Sequence, residues 1–264
     1  MGAFRTASTG LAAAFLAAIA AGCSKPAYDT STPQQAIDAV QAMLADGRPE
    51  LLPTMIHIEA RDIVYDDGVT EASAIENVRD KTGDMLAQLW RVTQKLQARY
   101  PSEVQKELEL AKSGARARGF GAAFARFLAD PFSFLEEQRD RLVAEDLGDG
   151  TAALLVDGEP AFGGVLTMVE TGDGWRLSIP VEAARSSGYW PDTRHEWAVV
   201  ASIMLSAENA LADFERKLDR GDFRTLRQAS EQAGLQLGGS VAVQSVIYAS
   251  MKEKGPDAPA AGGG

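Results

Sequence analysis

Residues 151–180, TAALLVDGEPAFGGVLTMVETGDGWRLSIP, decide how the rest of the chain is read. Three short apolar runs, TAALLV, GGVLTMV and GWRLSIP, are separated by DGEPAF and ETGDG, both rich in turn-forming residues. The spacing predicts an antiparallel three-stranded meander, with Asp173-Gly174 at the tighter hairpin turn. In the last run Trp175, Leu177 and Ile179 alternate with Arg176 and Ser178. A strand has a period of two, so the three apolar side chains share one face. The first two runs are more continuously apolar, which predicts cover on both faces or an edge hidden by helix.

The chain on either side reads mostly as helix. Upstream, Thr32 fits an N-cap, with Pro33 at the first helical position and Gln35 completing a capping box. Ile37, Val40 and Leu44 then share a face, and Gly47 stops the helix. GRPELLPTMI follows as a short helix interrupted by Pro53. The segment HIEARDIVYDDGVT stays open: Ile63-Val64-Tyr65 suit the start of a strand, whereas residues 71–79 suit a helix. Over residues 80–100 Met85, Leu89, Val92 and Leu96 repeat at helical spacing. Pro101 ends that run, and Ser102 with Gln105 opens another. Phe120, Phe124 and Phe127 form an apolar stripe, and Asp130-Pro131 starts a helix expected to reach about Glu145. After the meander, Ile203, Ala207, Leu211, Phe214 and Leu218 mark a long amphipathic helix stopped by Gly221. Its partner is expected over residues 223–233 and a last helix over 241–251. GPDAPAAGGG reads as a disordered tail. The expected class is therefore α+β, mostly helical, with a small antiparallel meander sheet packed on helices.

The N-terminus carries a different signal. Residues 11–21 form an eleven-residue apolar run, long enough for the core of a signal peptide but short of the roughly 20 residues of a spanning helix. Arg5 precedes it, and Ala20-Ala21-Gly22 supply small residues before Cys23, the chain's one cysteine. Ala20-Ala21-Gly22-Cys23 resembles a bacterial lipobox, in which the thiol is acylated and the cysteine becomes the new N-terminus. That resemblance implies removal of residues 1–22, a lipid-anchored protein of the bacterial cell envelope, and an attachment role for Cys23. Ser24 after the cysteine favours the periplasmic face of the outer membrane. Residues 23–32 then serve as a tether, residues 33–254 form the globular part, and residues 255–264 form the tail.

Loss of residues 1–22 removes Arg5 alone among charged side chains, shifting the net charge from −11 to −12. An acidic chain lacks the Lys and Arg clusters that nucleic acid requires. It also lacks the basic amphipathic character of helices that lie on anionic lipid. The expected partners are the membrane, through the lipid alone, and a protein of the envelope.

Constellations that carry chemistry are sparse. His57 in HIE and His195 in RHEW each sit beside a carboxylate, but no further ligand pair completes a zinc site. HIE lacks the Cys-x-x-Cys of a zinc deaminase. No Gly-x-Ser-x-Gly elbow occurs. GARARGFGAAF offers Arg116 and Arg118 to an anion but reads better as a solvated bend. No metal and no cofactor is expected. SSGYWPDTRHEW, residues 186–197, gathers Tyr189, Trp190, Arg194, His195 and Trp197, the residue types of binding hot spots and equally of a loop that pins a helix to a sheet.

Residues 32–52, TPQQAIDAVQAMLADGRPELL, together with DGWRLSIP, resemble the cone-shaped α+β family of nuclear transport factor 2 and ketosteroid isomerase. The resemblance implies a curved sheet and helices enclosing an apolar pocket, with Trp175 near its wall. A cone-like part over residues 33–182 would be followed by a helical part over 195–252. AIDAVQAMLADGRPELL also matches ALADFERKLDRGDFRTL without gaps, as either a duplication or two ordinary helix–Gly–helix hairpins. The leading expectation is a non-enzymatic, lipid-anchored envelope protein that binds a partner or small ligand. The alternatives are an isomerase or dehydratase using a carboxylate in an apolar pocket, and a structural assembly factor.

Overall fold

The computed structural model describes residues 28–113, 120–137, 139–186 and 188–254. Cys23 and the proposed signal peptide, Arg116 and Arg118, and the tail lie outside the described residues. The elements in chain order are α1 (Pro33–Ala45), a 3-10 helix (Pro49–Met55), β1 (Ile56–His57), α2 (Glu71–Arg99), α3 (Pro101–Lys112), α4 (Phe120–Ala129) and α5 (Ser133–Glu137). A 3-10 turn (Arg139–Arg141) leads into β2 (Leu142–Asp146), β3 (Thr151–Val156), β4 (Glu159–Pro160), β5 (Thr167–Thr171) and β6 (Gly174–Ser178). The chain ends in α6 (Val181–Ser186), α7 (Arg194–Arg220) and α8 (Leu226–Lys254). The class is α+β, with one open, mostly antiparallel sheet beside a layer of long helices.

The meander is present as β3, β5 and β6 in antiparallel order. The sheet is larger than the sequence predicted, because β2 extends it at one edge and β1 pairs parallel to β6 at the other. The helix expected to reach Glu145 gives way to strand at Leu142. There Leu142 and Val143 lie opposite Val156 and Leu155, and cross-strand pairing outweighs a weak local helical preference. Ile63-Val64-Tyr65 contribute one isolated bridge, Val64 to Thr70, instead of a strand.

One face of the sheet is filled. Ala152, Leu154, Met168 and Trp175 pack against Ala36, Ile37, Ala39 and Met43 of α1. The described end of the expected tether crosses this hairpin: Trp175 N–H donates to Thr30 O at 2.8 Å. Gly174 permits the crossing, with φ +100° and Thr30 O 2.7 Å from where a Cβ would stand. At the start of α1, Thr32 Oγ1 accepts from the Gln35 N–H as expected. The Gln35 side chain, however, engages the Ser31 and Thr32 hydroxyls and Asp29 rather than closing a capping box.

The second core is helical. Leu89, Val92 and Leu96 of α2 meet Phe214 and Leu218 of α7 and Leu226, Ala229 and Ala233 of α8. Met85 and Ile203, at the ends of the two expected stripes, are half-buried. The two expected helices over 71–79 and 80–100 are one, and those over 223–233 and 241–251 are likewise one. Thr70 and Ser73 form a reciprocal capping box at the start of α2.

Gly83 lies in the middle of α2, where alanine would favour the helix by about 1 kcal/mol. A Cβ there would stand 2.7 Å from the backbone carbonyl oxygen of Glu50. Gly83→Ala should therefore destabilise the fold by about 1–3 kcal/mol despite its helix propensity. Urea unfolding checks this: the midpoint should fall, and an unchanged or higher midpoint would show that the 3-10 helix gives way freely.

Candidate functional site

Between the β1 edge of the sheet and the α2–α7 pair lies a cleft of about 570 Å³. Its sheet side is Ile56, Ile58 and Ile179; its helix side is Ile75 and Val78 of α2 and Val200 and Ile203 of α7. These positions follow from periodicity, since residues spaced three and four apart present one apolar face per helix. The third wall is aromatic: Tyr189, Trp190 and Trp197, joined by Tyr248 from α8. The two indoles meet edge to face at 5.6 Å between centroids. His57, Glu76, Arg79 and Thr82 add a few polar groups.

The loop carrying the aromatic wall is held by a buried charge cluster. Glu71, at the first position of α2, has a fully buried side chain. Its carboxylate accepts from Arg61 Nη2 at 2.6 Å and Nε at 3.0 Å, from Trp190 Nε1 at 2.9 Å and from the Arg61 backbone N–H. Arg185 lies 3.5 Å away, with its guanidinium over the Trp190 ring. Burial alone would raise the Glu71 pKa, but the donors from Arg61 and Trp190 outweigh it and hold the carboxyl below the usual glutamate range. The group is therefore a fixed anion that positions Trp190. An acid or base working near neutrality needs the opposite shift.

From the other side α8 clasps the same loop. Tyr248 Oη donates to Tyr189 O at 2.6 Å. Its hydroxyl is pushed up to about 12, first by burial and then by the charges of Glu196 and Asp192. Lys252 Nζ reaches Asp192 at 3.1 Å and Glu196 at 3.0 Å. Glu196 also closes a capping box with Thr193 at the start of α7. Trp197 Nε1 donates to Tyr65 Oη at 2.8 Å, so both indole N–H groups are satisfied and the rings turn their apolar surface inward.

Of the residues singled out in the sequence, Tyr189, Trp190 and Trp197 come together at this cleft. Trp175 does not: it is buried under the sheet against α1, away from this cleft. Arg194 and His195 are exposed on the opposite side of the loop, beside Asp66 and Asp67, where Arg194 pairs with Asp67 at 2.9 Å. His195, two positions before Trp197, lies on the other side of α7, whereas Arg194, three positions before it, shares with Trp197 a second pocket beside α2. Glu71, Arg61, Arg185, Tyr248 and Lys252 escaped notice in the sequence, because each is an ordinary charged or aromatic residue until the fold brings it to the loop. Among the described residues, no group of three or more His, Cys, Asp or Glu side chains is placed to hold a metal ion. Comparison of the chain with protein-family models, curated proteins and solved structures gives no match.

Proposed function

We propose that this is a non-enzymatic, lipid-anchored protein of the bacterial cell envelope that holds a small apolar ligand in the aromatic-walled cleft. The cleft itself carries the reading: its volume is in the range of small-molecule sites, and its lining is apolar with a few convergent polar groups. The anchor rests on the lipobox-like Ala20-Ala21-Gly22-Cys23. Buried, hydrogen-bonded supports on both sides of the loop suit a preformed site, which loses little ordering entropy on binding. The enzymatic alternative wants a carboxyl kept protonated in an apolar pocket, and Glu71 is held as an anion by its donors.

The neutral fluorophore N-phenyl-1-naphthylamine is a suitable probe. It should saturate at one equivalent per chain and accept excitation energy from Trp190 and Trp197. Val200→Phe, which fills the cleft from the α7 side, should weaken binding at least tenfold with little change in melting temperature. Equal binding by the parent and Val200→Phe would remove the reading.

A further inference from the structure

The cleft differs from one end to the other, and α2 gives the scale. The aromatic wall stands over the first turns of that helix, where Trp190 donates to Glu71 and Trp197 packs with Ala74 and Ile75. Arg79 and Thr82 border the same cleft farther along α2, and His57 borders it from β1. Arg79 follows Glu71 by eight positions, about 12 Å along the axis at 1.5 Å per residue. Indoles thus wall one end of the cleft, and a guanidinium lies towards the other.

The polar groups differ in what they have left to give. Both indole N–H groups are spent on protein oxygens. Arg61, Arg185 and Lys252, which hold the aromatic loop, are paired with Glu71, Asp192 and Glu196. Thr82 turns its hydroxyl back to Val78 O at 2.8 Å. The half-buried His57 ring makes no hydrogen bond among the described residues. In any protonation state that ring carries at least one N–H. Among the described residues lining the cleft, Arg79 is the one with a permanent positive charge. Its ion pair is to Glu76 at 3.4 Å, and that carboxylate is 65% exposed. An exposed pair of this kind contributes little to stability, and Glu76 can turn to water when a better acceptor arrives.

Taking the cleft as the ligand site, we infer that its occupant is an amphiphile with a carboxylate head. Arg79 and His57 hold the head, and the apolar body reaches towards Trp190 and Trp197. A guanidinium takes a planar carboxylate through two parallel N–H···O bonds, which a hydroxyl head cannot match. One guanidinium balances one negative charge, whereas a phosphate dianion beside Glu76 would be left with charge to spare. The body must be apolar, because the side chains of Ile56, Ile75, Val78 and Ile179 offer it no hydrogen bonds. The chain's net charge of −11 pulls the other way and favours cations at long range. A cationic amphiphile is therefore the competing outcome.

Competition against N-phenyl-1-naphthylamine bound to the full chain tests this. Decanoate, decanol, decyl phosphate and decyltrimethylammonium share one alkyl chain and differ in the head. At neutral pH, below micelle-forming concentrations, decanoate should displace the probe at a concentration at least about tenfold lower than decanol or decyltrimethylammonium. It should also act at a lower concentration than decyl phosphate. In Arg79→Met, which keeps bulk and removes charge, the advantage of decanoate over decanol should shrink to about twofold or less. The ratio is its own control, since a general loosening of the cleft weakens both competitors alike. The proposal is overturned if decanol or the cationic amphiphile matches decanoate on the parent chain, if none of the four displaces the probe, or if Arg79→Met keeps the full advantage. Displacement by decyl phosphate at or below the concentration of decanoate would assign the head to a phosphate and overturn the carboxylate. Failure of the probe to bind the parent chain would instead remove the cleft as a ligand site, and this ligand with it.

Discussion

Glu71→Gln is expected to destabilise the protein by about 3 kcal/mol at neutral pH, the low end of the range for breaking a buried ion pair. The carboxylate is fully buried, and its donors come from two directions: Arg61 on the preceding loop and Trp190 on the loop before α7. Glutamine offers one acceptor oxygen and turns an NH2 group towards Arg61, so at least one donor is left without a partner. Arg61 is 31% exposed and can turn partly to water, which keeps the loss from being larger. Because the folded pKa of Glu71 is depressed, its contribution is whole above the ordinary glutamate value of 4.5. It is lost as pH falls through that value towards the depressed folded one. The gap between parent and variant should therefore be widest at neutral pH and narrow in acid. Urea midpoints at pH 7 and pH 3.5 check both statements, and a gap that is constant with pH would show that Glu71 acts through shape alone. Loosening Trp190 should also weaken binding of the naphthylamine probe, a loss that surface destabilisation elsewhere would not produce.

The outcome separates what was legible in the sequence from what was not. Periodicity carried the two cores: Leu89, Val92 and Leu96 face Phe214 and Leu218 as their spacing requires, and β3, β5 and β6 pair as their turns require. Those signals are local, lying within one or two turns or one hairpin. Leu142–Asp146 was illegible because its strand identity depends on pairing with residues 152–156 across a glycine-containing turn. The joining of residues 71–79 to the helix read over 80–100 was equally hidden. Gly83 lies inside that helix, and the close approach of the Glu50 carbonyl that it permits depends on a residue 33 positions away. At the cleft, the aromatic clustering in SSGYWPDTRHEW pointed to Tyr189, Trp190 and Trp197. Which of its neighbours turn inward was set by α7, whose geometry sends Trp197 into the cleft and His195 to solvent. Glu71 lies 119 positions from Trp190, and no local pattern joins them.

The largest single loss should come from Phe214→Ala, at about 3–5 kcal/mol. Phe214 is fully buried where α2, α7 and α8 converge, and its ring stacks on Phe223 at 5.4 Å between centroids. Leu96, Leu218 and Leu226 belong to the same core and are nearly as buried. They are carried by helices of 29, 27 and 29 residues, so collapse onto the vacated volume would require whole helices to shift. A cavity therefore remains, and its cost adds to the lost transfer free energy of the ring. Phe127 provides the internal comparison, because it is the same residue type on α4 and 44% exposed. Phe127→Ala should change stability by no more than about 0.5 kcal/mol. Equilibrium urea unfolding should show a much lower midpoint for Phe214→Ala at an unchanged slope, since the surface exposed on unfolding is nearly the same. Similar losses for the two variants would mean that the face of α4 bearing Phe127 is buried in solution. A small loss at Phe214 would mean that the three-helix core repacks freely.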